Sequence, residues 1–84
     1  YPNPFNPSTE IQFQLALSGN VKLEIFDISG RCVNTILNKE MSAGSHTAVW
    51  NGLNKQGQKV SSGLYFYRLT TKDFSESKKM MLIK

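Results

Sequence analysis

Val21-Lys22-Leu23-Glu24-Ile25-Phe26-Asp27-Ile28-Ser29-Gly30-Arg31 carries two signals in succession. Val21, Leu23 and Ile25 alternate with Lys22, Glu24 and Phe26. Side chains two apart share one face of a strand, so this is a strand with one face buried. Asp27–Arg31 is then a tight reversal, because Gly30 takes positive φ at no steric cost. The chain must come straight back, and Cys32–Leu37 reads as the returning strand.

The same pattern continues on both sides. Upstream, Ile11, Phe13, Leu15 and Leu17 sit two apart around Gln12, Gln14 and Ala16, and Ser18-Gly19-Asn20 is a turn. Downstream, Asn38–Gly44 reads as a polar turn with Gly44 as its pivot. His46, Ala48 and Trp50 alternate with Thr47 and Val49. Asn51-Gly52 and Asn54-Lys55-Gln56-Gly57 are turn signals, and Val60 begins a short segment broken by Ser61-Ser62-Gly63. Leu64–Thr71, rich in aromatic and β-branched residues, is the strongest strand. Asp73–Ser77 reads as a turn. Lys79–Ile83 closes the pattern, with Met81 and Ile83 on one face and Met80 and Leu82 on the other. No window carries a capped helical repeat. Strands at this spacing predict an all-β antiparallel sandwich of about seven strands. The alternative, a five-stranded OB-like barrel, usually carries a helix that this pattern lacks. Tyr65, Tyr67, Leu69, Trp50, Ile11, Phe13, Val21, Leu23 and Ile25 are the expected core.

Before the first strand, Tyr1-Pro2-Asn3-Pro4-Phe5-Asn6-Pro7-Ser8 holds all three prolines of the chain. They forbid a helix or a central strand and favour an extended lead-in. By composition alone it reads as an interdomain linker; the expectation weighed against that is that Tyr1 and Phe5 dock it on the sandwich edge. A chain of 84 residues is one domain. The expected division is residues 1–8 as lead-in and 9–84 as sandwich. The chain opens on Tyr1, and it is expected to be part of a longer protein. The longest wholly apolar run, Met80–Ile83, is far too short for a spanning helix.

Composition narrows the chemistry. One Cys and one His exclude an internal disulfide, a Cys/His zinc site and Cys-x-x-Cys redox chemistry. His46 has no sequence partner that would make it a general base, and Cys32, although it follows Arg31, reads as packing. No phosphate-binding glycine loop occurs. Asp27, Asn51, Asn54, Asp73 and Glu76 are the oxygen-bearing candidates for a metal, without calcium-loop spacing. Tyr65-Phe66-Tyr67-Arg68 interleaves aromatics with a cation, as RNA-binding strands do, but without their glycine or second paired strand. Trp50, Phe26 and Phe66 are a candidate flat sugar platform, against the commoner use of Trp in a sandwich core. The expectation is a domain that is not an enzyme and takes no cofactor, metal, nucleic acid or small-molecule substrate. The net charge is +4, and Lys78, Lys79 and Lys84 lie in the last seven residues. They flank Met80–Ile83; on the residues alone this reads as a solvated basic strand end, with an edge read by strand pairing plus charge as the alternative.

Taken in order, these pieces resemble a known family. Tyr1–Thr9 is similar to the start of the type A C-terminal sorting domains of type IX secretion cargo. Val21–Asp27 with Gly30-Arg31 resembles the second strand and turn of that family. Ala43-Gly44, His46, Trp50-Asn51-Gly52, Gly57, Val60 and Ser62-Gly63-Leu64-Tyr65 resemble its middle. Lys78-Lys79-Met80-Met81-Leu82-Ile83-Lys84 resembles its closing motif. The middle is also similar to the immunoglobulin-like domain of flagellar hook-capping proteins.

Both resemblances imply an immunoglobulin-like sandwich. The first implies a non-catalytic signal that takes an attached N-terminal cargo domain through the periplasm to the cell surface or medium. Its partners would be outer-membrane secretion proteins. On that resemblance Lys78, Lys79, Met80, Met81, Leu82, Ile83 and Lys84 form the partner-binding segment. The competing class is an accessory immunoglobulin-like structural or carbohydrate-binding module of an extracellular protein.

Overall fold

The computed structural model describes residues 8–83, and within them every regular element is a strand. In chain order these are β1 (Thr9–Leu15), β2 (Gly19–Phe26), β3 (Cys32–Met41), β4 (Gly44–Trp50), β5 (Gly63–Thr70) and β6 (Ser75–Leu82). They form two antiparallel sheets, one of order β1-β4 and one of order β3-β2-β5-β6. The architecture is the immunoglobulin-like sandwich.

Alternation decides which faces meet. The narrow sheet contributes Ile11, Leu15, Ala48 and Trp50 to the core, and the wide sheet contributes Val21, Leu23, Ile25, Tyr65, Leu69 and Leu82. Complete burial of a side chain such as Leu23 or Ile25 is worth about 1.5–3 kcal/mol. The two large aromatics of the core keep their polar tips bonded. Trp50 donates Nε1–H to the Leu53 carbonyl at 3.0 Å, and Tyr65 donates its hydroxyl to the Ser61 carbonyl at 2.7 Å. Their rings meet edge-on with centroids 4.9 Å apart, a geometry favoured by the ring quadrupoles. Phe13 and Tyr67, two of the expected core residues, are only partly buried and pack against this cluster.

The β2–β3 reversal is closed by one carboxylate. Asp27 Oδ1 accepts from the backbone N–H and hydroxyl of Ser29 at 2.9 and 2.6 Å and from the Arg31 N–H at 3.0 Å. Gly30 sits inside the turn at φ 88°, where a side chain is strained.

Three elements differ from the sequence expectation. β3 runs on to Met41, four residues past the expected end, because Asn38, Lys39 and Glu40 pair with Lys22, Val21 and Asn20. Its two register shifts leave Ile36 and Val33 as extra residues, and the bulges turn both toward the core. β6 begins at Ser75, inside what reads as a turn. The described residues hold six strands where about seven were expected. The short segment beginning at Val60 forms no strand: Val60 donates its N–H to the Gly52 carbonyl at 3.0 Å, and the turn expected at 54–57 forms just ahead of it. The Asn54 carboxamide oxygen accepts from the N–H groups of Gln56 and Gln58, both at 3.0 Å, and Gly57 takes φ 80°. One isolated bridge, Leu53 to Lys59, is all that remains of a ladder. The loop is tied to β3 through Asn34, whose amide donates to the Leu53 carbonyl at 3.0 Å. The expected docking of Tyr1 and Phe5 falls outside the described residues.

Candidate functional site

The candidate segment forms the last strand and one edge of the wide sheet. Register with β5 fixes which side chains it presents. Met80 lies opposite Tyr65 and Leu82 opposite Gly63, on the inner face, while Met81 lies opposite Leu64 and Lys79 opposite Phe66, on the outer face. Leu82 is buried and Met80 packs against the core, so both hold the strand in place. Met81 and Ile83 are 56% and 75% exposed. Lys78 shares the inner-face parity but stays exposed, 3.7 Å from the Glu76 carboxylate. An ion pair this open contributes about 0–1 kcal/mol, and the ammonium remains available to a partner. Lys84 lies outside the described residues.

Glu76 and Lys78 occupy inward positions yet reach solvent, lining an open cleft between the two sheets. β1 and β6 touch near Thr9, whose hydroxyl donates to the Met81 carbonyl at 3.4 Å. Beyond that point a shallow cleft opens between the sheets, with Phe13, His46, Tyr67 and Phe74 among its lining residues. Among the described residues β6 pairs with β5 on one side and with no strand on the other, where β1 meets it near Thr9, and an edge of that kind is what strand addition requires.

The outer face of the wide sheet is built by the alternate residues of the same strands. Phe26 and Phe66 are directly opposite each other on β2 and β5. The Arg68 guanidinium lies 4.6 Å from the Phe26 ring centroid and 3.4 Å from Glu24, which also pairs with Lys22 at 3.8 Å. Trp50 points into the core instead, so the candidate platform of Trp50, Phe26 and Phe66 does not assemble.

The remaining candidates serve the fold. His46 stacks on Phe13 with centroids 5.5 Å apart, and its Nε2 lies 2.7 Å from the Ser42 carbonyl, to which it donates. Cys32 is free and partly buried, its thiol directed at the Asn34 carbonyl at 3.7 Å. Asp27 and Asn54 use their side-chain oxygens to close turns. The Ser29 hydroxyl, followed by the Arg31 backbone N–H, holds the Asp27 carboxyl below its ordinary value of 3.8. Among the described residues no three His, Cys, Asp or Glu side chains come together as a metal-binding group.

Period two alone puts Leu64, Phe66 and Arg68 on the face opposite Tyr65, Tyr67 and Leu69, which is the surface. That Leu64 meets Met81 depends on strand pairing, which alternation alone does not reveal.

Comparison with known proteins places this geometry. The family described as the FlgD Ig-like domain matches residues 3–74. FlgD from P. aeruginosa matches with a TM-score of 0.73 at 22% identity, covering 96% of this chain and 61% of that one. At that identity the likeness is one of fold. The structure of dimeric latent PorU from Porphyromonas gingivalis matches with a TM-score of 0.68 at 26% identity, covering 100% of this chain and 9% of that one. The chain thus spans less than two thirds of the first and under a tenth of the second. No curated protein matches it. The family match ends at Phe74, one residue before β6 begins.

Proposed function

The chain belongs to the FlgD Ig-like domain family, and from that premise we propose that it is a C-terminal sorting module that directs an attached cargo through type IX secretion. The observation that carries the proposal is β6. This strand lies beyond the family-matched span, yet it pairs with β5 along its whole length and sets lysines and exposed apolar side chains on a sheet edge that no other described strand pairs with. A folded tag needs a stable small core and an addressable surface, and this domain has both. The match to under a tenth of PorU is also in keeping with a fold used as one module of a much longer protein.

The mechanism follows from the strand. A receptor strand added at the β6 edge gains main-chain hydrogen bonds, and alternate side chains give selectivity. Lys78 and Lys79, with Lys84, raise the association rate with an acidic receptor more than they raise affinity. Met80 and Leu82 keep the strand registered. The partners are outer-membrane secretion proteins and the cargo domain ahead of Tyr1, and the destination is the cell surface or the medium. No catalytic step is assigned to the domain itself.

The test fuses the domain to a periplasm-targeted reporter in a host with type IX secretion. The intact domain is expected to carry the reporter outside. Deleting Lys79–Lys84 should trap it in the periplasm, and so should the milder change of Lys78, Lys79 and Lys84 to Gln. Cys32→Ser and His46→Ala should export normally. Normal export of both the truncated and the triple-Gln fusions would refute the role of the strand. Failure of the intact domain to export anything would favour an accessory structural or carbohydrate-binding module. The Phe13–His46 stack in the inter-sheet cleft is the place to look for a sugar in that case.

A further inference from the structure

Seven large apolar side chains are exposed among the described residues, and they are not scattered evenly. Ile28, Leu64, Met81 and Ile83 gather at one corner of the wide sheet, while Leu17, Val49 and Phe74 lie elsewhere. The geometry that joins the four is explicit. Leu64 and Met81 are cross-strand partners, and Ile83 is two residues beyond Met81, on the same side of the chain by period two. Ile28 lines a shallow cleft together with Leu64 and Arg31. Phe66, two residues from Leu64, extends the apolar floor toward Phe26. Contiguous exposed apolar surface rimmed by polar groups marks an interaction site, whereas single exposed residues need no explanation.

The rim is basic. Lys79 stands opposite Phe66 and makes no ion pair among the described residues. Arg31 is 84% exposed, with a 3.3 Å contact to Asp27, and Arg68 lies over Phe26 and 3.4 Å from Glu24. A flat apolar centre with arginines and lysines around it has the anatomy of a protein–protein contact.

We propose that this corner, Ile28, Leu64, Met81 and Ile83 rimmed by Arg31, Lys79 and Arg68, docks on a receptor protein surface with an apolar centre and an acidic rim. It rests on the sorting role proposed above and extends the address from the last strand to the β2–β3 turn and β5. The charge pattern selects this occupant over a second copy of the chain. Two copies meeting through the corner would bring each Lys79 toward a rim whose carboxylates, Asp27 and Glu24, already hold Arg31 and Arg68, and would leave its charge unmatched.

The test uses the reporter fusion with two matched pairs of substitutions. Ile28→Ser with Leu64→Ser removes apolar surface from the corner. Leu17→Ser with Val49→Ser removes comparable exposed apolar surface elsewhere. The corner variant is expected to reduce export about 10-fold or more, as loss of central contact residues does, and the control to leave it unchanged. Ile28→Ser alone, in a solvent-facing turn, covers the case in which Leu64→Ser disturbs folding, and Lys79→Glu should also reduce export. Thermal melts must show both pairs folded.

Normal export of the corner variants, with the triple-Gln fusion still trapped, overturns this inference and leaves the sorting role standing. Failure of the intact domain to export overturns the sorting role itself. A homodimer in sedimentation, broken by Leu64→Ser, would assign the corner to a second copy and overturn the receptor proposal.

Discussion

Leu82→Ala and Met81→Ala are adjacent changes with sharply different expected costs. Leu82 is 1% exposed among the core side chains, and Met81 is 56% exposed on the outer face. Truncating Leu82 removes three buried carbons, worth about 2.4 kcal/mol at roughly 0.8 kcal/mol each. A residual cavity raises the cost, and relaxation near the end of a strand limits the rise. The expected loss is therefore about 2–3 kcal/mol, at the low end of the range for Leu→Ala. A chain of 84 residues has a total stability of about 4–13 kcal/mol, so this is a large fraction of it. Met81→Ala should stay within about 0.5 kcal/mol. Urea unfolding followed by the fluorescence of Trp50, the single tryptophan, reads both. With a slope of about 1 kcal/mol/M, Leu82→Ala should move the midpoint down by roughly 2–3 M and Met81→Ala hardly at all. Equal shifts for the two variants would refute the assignment of faces on β6, and with it the claim that this strand is anchored by one face while presenting the other.

Two further outcomes follow from the β2–β3 turn. A Cβ at Gly30 would meet nothing within 4 Å, so Gly30→Ala probes backbone conformation alone at φ 88°. It should lower stability by about 1–2 kcal/mol by urea titration, and an unchanged midpoint would contradict the turn geometry. Asp27 has a depressed carboxyl pKa in the folded state, because the Ser29 hydroxyl and the Arg31 N–H favour its charged form. Its contribution is therefore present above the ordinary value of 3.8 and is lost as pH falls through the lower folded value. The Tm gap between the native chain and Asp27→Asn should be widest near neutral pH and narrow below about pH 4. A gap constant with pH would show that the carboxylate charge plays no part.

Legibility in the sequence tracked burial. Val21, Leu23 and Ile25, and likewise Tyr65 and Leu69, announced their face because one side of each strand is buried and the other is not. The same rule separated Leu82 from Met81. Where burial does not alternate, the signal vanished. Asn38, Lys39 and Glu40 belong to an edge strand and are not buried, so their composition reads as a turn even though their backbones pair with β2. The Asn54–Gly57 turn, by contrast, is legible from its residues, because the Asn54 side-chain oxygen accepts from the N–H groups of Gln56 and Gln58 and Gly57 takes positive φ. Trp50 and Phe26 each alternate correctly, yet only the sheet assignment shows that they face opposite ways. The exposed corner was beyond local reading for the same reason. Ile28, Leu64 and Met81 are distant in the chain and meet only through the strand order β3-β2-β5-β6.

The central claim is that the folded domain is itself an export address. The measurement that bears on it most directly is the partition of a periplasm-targeted reporter between cells and medium. It is made with and without the domain, in a type IX host and in a matched strain lacking the translocon. The expected result is reporter outside the cell only when both domain and translocon are present. Retention of the fusion in the complete host, with the domain shown to be folded there, would contradict the claim, and so would equal release from the strain without the translocon.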